Sequence, residues 1–237
     1  MRINYSEYSS IGGRSKNEDM VQVTSYPEST VALVADGLGG HGDGDKASRM
    51  AVHVISREVA SGVPSLPLME RAIREANECI IRQQNHECDM KTTIAALWLG
   101  EGRACAAHIG DTRIYQFRNQ QILYQCVDHS LSQLAVALGE ISADEIRHHC
   151  DRNHLTRALG HKADIKIDID MLHVQPNDAF LLCSDGFWEH ILETEMLETL
   201  RTARDAETWL SDMRRRAESR MSLNSDNSSA VAMIVCG

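Results

Sequence analysis

No stretch of this 237-residue chain approaches the length of an apolar membrane span, and its start, Met1-Arg2-Ile3-Asn4-Tyr5-Ser6, lacks the apolar core of a signal peptide. A cytoplasmic protein is expected. Basic residues are in deficit. The formal net charge is -10, whereas nonspecific nucleic-acid binding needs a basic face, so nucleic acid is excluded as a partner. The cysteines (Cys79, Cys88, Cys105, Cys126, Cys150, Cys183, Cys236) include no Cys-x-x-Cys pair, which removes the usual zinc and thioredoxin-like patterns. They are expected as reduced core residues. Repeats, low-complexity tracts and linkers are also missing, so residues 1–237 are read as one domain. What remains is 43% hydrophobic and 24% charged, a soluble composition long enough to bury a sizeable core.

The chain is organised around Leu33-Val34-Ala35-Asp36-Gly37-Leu38-Gly39-Gly40-His41-Gly42. Val31 to Ala35 has the β-branched and small apolar residues of a strand buried on both faces, and Asp36 stands at its mouth. The glycines let the backbone approach a ligand closely, so a carbonyl at Gly37 could bind a hard cation.

Around it, strands are expected at Ile3–Ser10, Val21–Thr24, Thr92–Leu99, Arg103–Ile109, Arg113–Phe117, Ile122–Gln125, Ile165–Val174, Ala179–Ser184 and Ala230–Val235. Helical spacing places Ala47, Met50, Ala51 and Val54 on one stripe, and Met69, Ala72, Ile73, Ala76 and Ile80 on a second. A late helix carries Trp209, Leu210, Met213 and Ala217. The short links Gly100-Glu101-Gly102, Gly110-Asp111-Thr112 and Asn119-Gln120 predict antiparallel hairpins, with Asp111 and Arg113 in structural roles at a turn. Residues 130–160, polar and histidine-rich, are read as a helical insertion or flap. The class is α+β.

Three further places repeat the logic of Asp36. Phe180-Leu181-Leu182-Cys183-Ser184-Asp185-Gly186 is another apolar strand ending in Asp-Gly. Asp226 precedes the final strand, and Glu18-Asp19 precede the strand at Met20. Carboxylates converging from several strand ends repel by several kcal/mol in a low-dielectric cleft, so a cation must hold them together. Oxygen donors with few imidazoles or thiolates select Mg²⁺ or Mn²⁺ over Zn²⁺.

Arg14-x-x-Asn17-Glu18-Asp19, Asp36-Gly37-Leu38-Gly39-Gly40-His41, Gly110-Asp111-Thr112-Arg113, Leu155-Thr156-Arg157-Ala158-Leu159-Gly160, Ser184-Asp185-Gly186 and Asp226-Asn227 stand in the order of the PP2C-type (PPM) metal-dependent serine/threonine phosphatases. Over Ile3 to Val235 the chain resembles the short bacterial members. The resemblance implies a four-layer α-β-β-α sandwich of two antiparallel β-sheets flanked by helices, with a flap insertion. It further implies two Mn²⁺ or Mg²⁺ ions. Asp36 would bridge them, the Gly37 carbonyl and Glu18 would complete one site, and Asp185 and Asp226 would hold the other. Asp19 would orient a metal-bound water and Arg14 would clamp the substrate phosphate. The implied chemistry is in-line attack on phosphoserine or phosphothreonine by a water that has lost its proton between the ions.

A third ion at Asp89, with Asp185, is implied by the run Asp89-Met90-Lys91-Thr92-Thr93, in which Lys91 replaces the family's usual glycine and sets an ammonium beside that site. Leu38 stands where some members have a histidine, so His41 is not assigned as general acid. His148-His149-Cys150 has donors that suggest metal ligation, but on a polar flap it is expected to be solvent-exposed; Arg214-Arg215-Arg216 is expected as a solvated helix face, with substrate docking as the lesser alternative. The expected partners are phosphorylated proteins, including a Ser/Thr kinase or its targets, with type VI secretion control as one setting by family analogy. A monomer is expected. The alternatives are a catalytically dead binding module, which should lack a metal ligand, and a hydrolase of small phosphate esters.

Overall fold

The computed structural model describes residues 1–38, 43–60, 62–85 and 89–237. Parity along the strands sets the layers. Strand β3 (Ser29–Ala35) is buried throughout. Val31, Leu33 and Ala35 pack with helices α1 (Gly44–Val59) and α2 (Leu66–Gln83), while Ala32 and Val34 face the space between two sheets. One sheet runs β10 (Asp168–His173), β7 (Arg103–Ile109), β6 (Ile94–Gly100), β3, β2 (Met20–Ser25). The other runs β1 (Ile3–Ser10), β12 (Ser228–Val235), β11 (Ala179–Cys183), β8 (Arg113–Arg118), β9 (Gln121–Gln125). Every pairing is antiparallel.

The outer face of the second sheet carries Tyr115, Phe117, Leu181 and Ala232 against Met196 of α5 (Glu193–Thr202) and Trp209, Leu210 and Met213 of α6 (Ala206–Glu218). Two sheets face to face with helices outside each give the expected α-β-β-α sandwich. The three hydrophobic clusters are its three interfaces. Burial of the α1, α2 and α6 stripes follows the expected residues, Met50 alone being only half-buried. Helix α5 was not expected. Only Met196 and Thr199 of its ten residues are buried, too thin a stripe to read against four charged neighbours.

One hairpin is overturned. β7 pairs with β6 and β10, whereas β8 pairs with β9 and β11, so Gly110-Asp111-Thr112 crosses from one sheet to the other. A three-residue link reaches the ~10 Å between stacked sheets as readily as it folds back on one sheet. Gly110 makes the crossing at φ 101°, where a Cβ would meet Thr93 Cγ2 at 2.5 Å. Two strands also differ in extent. The Thr92–Leu99 strand divides into β5 (Lys91–Thr92), paired with β4 (Gly37–Leu38), and β6. The Ile165–Val174 strand narrows to β10.

Between β9 and β10 the chain forms helix α3 (Leu131–Ala137) and a 3₁₀ turn at Ala143–His148. The described cysteines are all free. Cys105, Cys126 and Cys183 are core residues, but Cys79 and Cys236 are half-buried and Cys150 is exposed, so the core expectation holds for three. Cys88, like Gly39, Gly40, His41 and Gly42 of the glycine-rich turn, lies outside the described residues. Among the described residues, no helix is long and apolar enough to cross a membrane.

Candidate metal centre

The strand ends bring the acids together. Asp36 follows β3, Asp19 precedes β2, and Asp226 precedes β12, while Asp185 follows β11 at the start of the single-turn helix α4 (Asp185–Trp188). Both sheets contribute. A cavity of about 420 Å³ is lined by Arg14, Lys16, Glu18, Asp36, Gly37, Asp111, Asn153, Leu155, Asp185 and Asp226. Asp36 is fixed from both sides: its N–H donates to Thr93 Oγ1 (3.0 Å), and its carbonyl accepts from Thr93 N–H and Thr92 Oγ1 (each 2.8 Å). Gly37 packs against the start of α1, where a Cβ would meet the Gly44 carbonyl oxygen at 2.3 Å.

Asn227 ties the N-terminal knot to this place. Its Oδ1 accepts from Glu18 N–H (2.8 Å), and its Nδ2 donates to the carbonyls of Ile11 and Lys16 (2.8 and 3.0 Å). Glu18 Oε1 accepts from Gly44 N–H at 3.2 Å. Arg14 reaches Asp226 at 2.6 Å from the solvent side, with its side chain 55% exposed.

Asp19 is buried just behind the lined surface. Ser184 Oγ donates to its Oδ2 (2.9 Å), while Oδ1 is buried with no hydrogen-bond partner. Burial pushes the Asp36 carboxyl well above the ordinary carboxylate range, and Asp19, Asp185, Asp111 and Asp226 around it push the same way. Asp19 rises to about 6 and Asp185 to about 7, burial again leading; burial raises Glu18 as well. An orphaned carboxylate oxygen among mutually repelling acids fits divalent cations with oxygen donors.

Asp111 was missed. It repeats the signal of Asp36, an apolar strand closed by an acid, but the hairpin reading put it at a turn tip. It lies buried in the cavity lining instead, raised strongly by burial and by Asp185. Trp188 Nε1 donates to its carbonyl at 2.9 Å. Asp89 is not in this lining; its side chain is 73% exposed and held by Lys91 Nζ at 2.7 Å.

A second group, His108, His129 and Asp168, brings its ligand-capable atoms within 4.8 Å of one another and could hold a divalent ion. His108 Nε2–H donates to the Val127 carbonyl (2.9 Å), leaving Nδ1 buried and without a partner. His129 Nδ1 accepts from Gly110 N–H (3.1 Å), and its Nε2 lies 3.3 Å from Asp168, which Arg157 also binds (2.7 Å). Burial, then His108 and Arg157, lower His129 to about 4, so it is neutral at physiological pH.

Residues 8–226 match the protein phosphatase 2C family. The chain is 34% identical over 201 residues to the serine/threonine phosphatase stp of Listeria monocytogenes, covering 81% of this chain and 80% of that protein. The catalytic domain of the serine/threonine protein phosphatase PstP, solved with two manganese ions, superposes with a TM-score of 0.82 at 26% identity, covering 99% of each chain. PppA, described as a key regulatory component of the type VI secretion system in Pseudomonas aeruginosa, superposes with a TM-score of 0.81 at 27% identity, over 98% of this chain and 97% of that one. The chain belongs to the PP2C (PPM) family. It is a bacterial-type protein phosphatase of that family.

Proposed function

We propose that the chain hydrolyses phosphoserine and phosphothreonine on proteins at the acid-lined cavity, acting as a single cytoplasmic domain spanning 1–237. The observation that carries this is the convergence of acids from both sheets on one cavity, with Arg14 and Lys16 the basic residues in its lining. Mn²⁺ or Mg²⁺ would be held by Glu18, Asp36, the Gly37 carbonyl, Asp185 and Asp226, and when bound supply a water acidified toward neutrality and positive charge at the phosphoryl group. Asp19, through its unpartnered Oδ1, orients the proton of the attacking water. Arg14 at the rim receives the phosphate as a bidentate fork, exchanging Asp226 for the substrate. Asn153 and Leu155 form the wall that a peptide would pass. For a third ion, Asp111 beside Asp185 is better supported than Asp89, which Lys91 engages outside the cavity.

A monomer opposing a Ser/Thr kinase fits the family. Likeness to PppA gives type VI secretion control as one setting. The test is hydrolysis of phosphothreonine and phosphoserine peptides beside a small aryl phosphate, with Mn²⁺, Mg²⁺ or EDTA. Peptide turnover should require metal and fall about 10³-fold, ~4 kcal/mol of transition-state stabilisation, in Asp36→Asn. Turnover indifferent to EDTA and to Asp36→Asn would overturn the reading, and a preference for the aryl ester would move it to small substrates.

A further inference from the structure

The flap turn at residues 149–154 carries donors of a different kind from those in the acid cavity. His149, Cys150 and Asp151 place one imidazole nitrogen, one sulfur and one carboxylate oxygen within 4.8 Å of one another. Cys150 is a free, exposed thiol, and His149 and Asp151 are half-buried, so an ion can enter from solvent. His149 Nδ1 accepts from Asp151 N–H at 3.2 Å, so its lone pair is turned toward the interior of the turn. The Asp151 carboxylate is oriented from the other side by His154 Nδ1 at 3.2 Å. An imidazole supporting a ligating carboxylate is the arrangement an outer partner takes at a metal site.

We infer that His149, Cys150 and Asp151 form a Zn²⁺ site separate from the acidic centre, with His154 as its supporting partner. Thiolate and imidazole donors select zinc over the hard cations that an all-oxygen set takes, and three protein ligands leave the fourth position of a tetrahedron to water. Zinc–ligand distances of about 2.0–2.3 Å set the ligand atoms roughly 3.3–3.8 Å apart. The turn therefore needs to contract by about 1 Å, which exposed side chains achieve by rotation. On binding, the thiol proton leaves to solvent and the Asp151 N–H gives up the His149 lone pair to the ion.

The site sits where it can act on the catalytic cavity, a consequence that rests on the function proposed above. Within the turn, Arg152 binds Glu189 at 2.7 Å, and Asn153 lines the acid cavity. Just beyond it, Leu155 lines the same cavity and pairs with Ser130 at the entrance to α3. An ion joining His149 to Asp151 fixes the turn that delivers Asn153 and Leu155 to that wall.

The 237-residue chain, loaded with Mn²⁺, is titrated with Co²⁺ as a spectroscopic stand-in for zinc. The expected result is a thiolate-to-cobalt charge-transfer band that zinc abolishes and that is lost in Cys150→Ser, with His154→Ala weakening binding about tenfold. Neither the acid cavity nor His108, His129 and Asp168 contains sulfur, so neither produces that band. Absence of the band in the wild type, or its persistence in Cys150→Ser, would overturn the site. Cys150→Ser is expected to keep its basal turnover on a phosphothreonine peptide and to resist zinc that slows the wild type. Equal slowing of both would overturn the link to the cavity wall. Because the band is read without turnover, an inactive protein that still shows it would count against the proposed function and leave the zinc site standing.

Discussion

Asp128, buried after β9, and Asp36, half-buried at the end of β3, are both carboxylates, and their surroundings could hardly differ more. Asp128 receives three hydrogen bonds from the Arg113 guanidinium (2.7–3.2 Å), with both side chains at most 3% exposed. Arg113 in turn lies 3.5 Å over the Trp188 ring and donates to Tyr115 and Glu193. Asp36 has four further aspartates around it, each pushing its carboxyl up alongside burial. The first arrangement is electrically complete and holds the fold together. The second gathers like charges, which makes it the candidate place for a ligand that supplies positive charge.

Neutralising one acid in each region should therefore have opposite consequences. Asp128→Asn leaves the buried Arg113 guanidinium with only the longer Glu193 contact as counter-charge and should lower unfolding free energy by about 3 kcal/mol, measured by urea denaturation. Asp36→Asn in EDTA at pH 8 should raise it, since it removes one of the mutually repelling acids, while metal-dependent turnover, assayed separately with Mn²⁺, falls steeply. Two changes of the same sign would break the comparison.

Proton linkage sharpens it. Asp19 and Asp185, at about 6 and 7, bind protons more tightly folded than unfolded. Without divalent metal their stabilising contribution is complete below the unfolded aspartate value near 4 and is lost as pH rises through 6 to 7. The melting temperature in EDTA should fall over that window, and Mn²⁺ should remove most of the fall; a flat profile would mean the acids are already compensated. The smallest effect is expected at Asp89. Its exposed pairing with Lys91 contributes within about 0.5 kcal/mol, and Asp89→Asn should leave turnover and metal dependence nearly unchanged.

Much of the architecture was legible because helix and strand periods are local. The stripe Met69, Ala72, Ile73, Ala76 and Ile80 is buried as the 3.6-residue spacing predicts. Val31 to Ala35 of β3 is buried as an uncharged run of β-branched and small apolar residues predicts. Asp36, Asp185 and Asp226 could be singled out because each interrupts or precedes such a run. Helix α5 could not be read, since its stability comes from packing on α6, where Trp209 Nε1 donates to the Met196 carbonyl at 3.1 Å.

The sequence by itself determined which residues end strands in acids, which stripes of α1, α2 and α6 are buried, and that the donor set is oxygen-rich. Tertiary structure alone decided that Gly110–Thr112 crosses between sheets and carries Asp111 into the cavity, while Asp89 stays outside it. It also decided that Asn227 holds Glu18 from 209 residues away, and that Asp19 keeps an oxygen without a partner. The physical reason is that patterns along a chain record burial and period, whereas strand pairing and convergence of charge depend on contacts between distant segments.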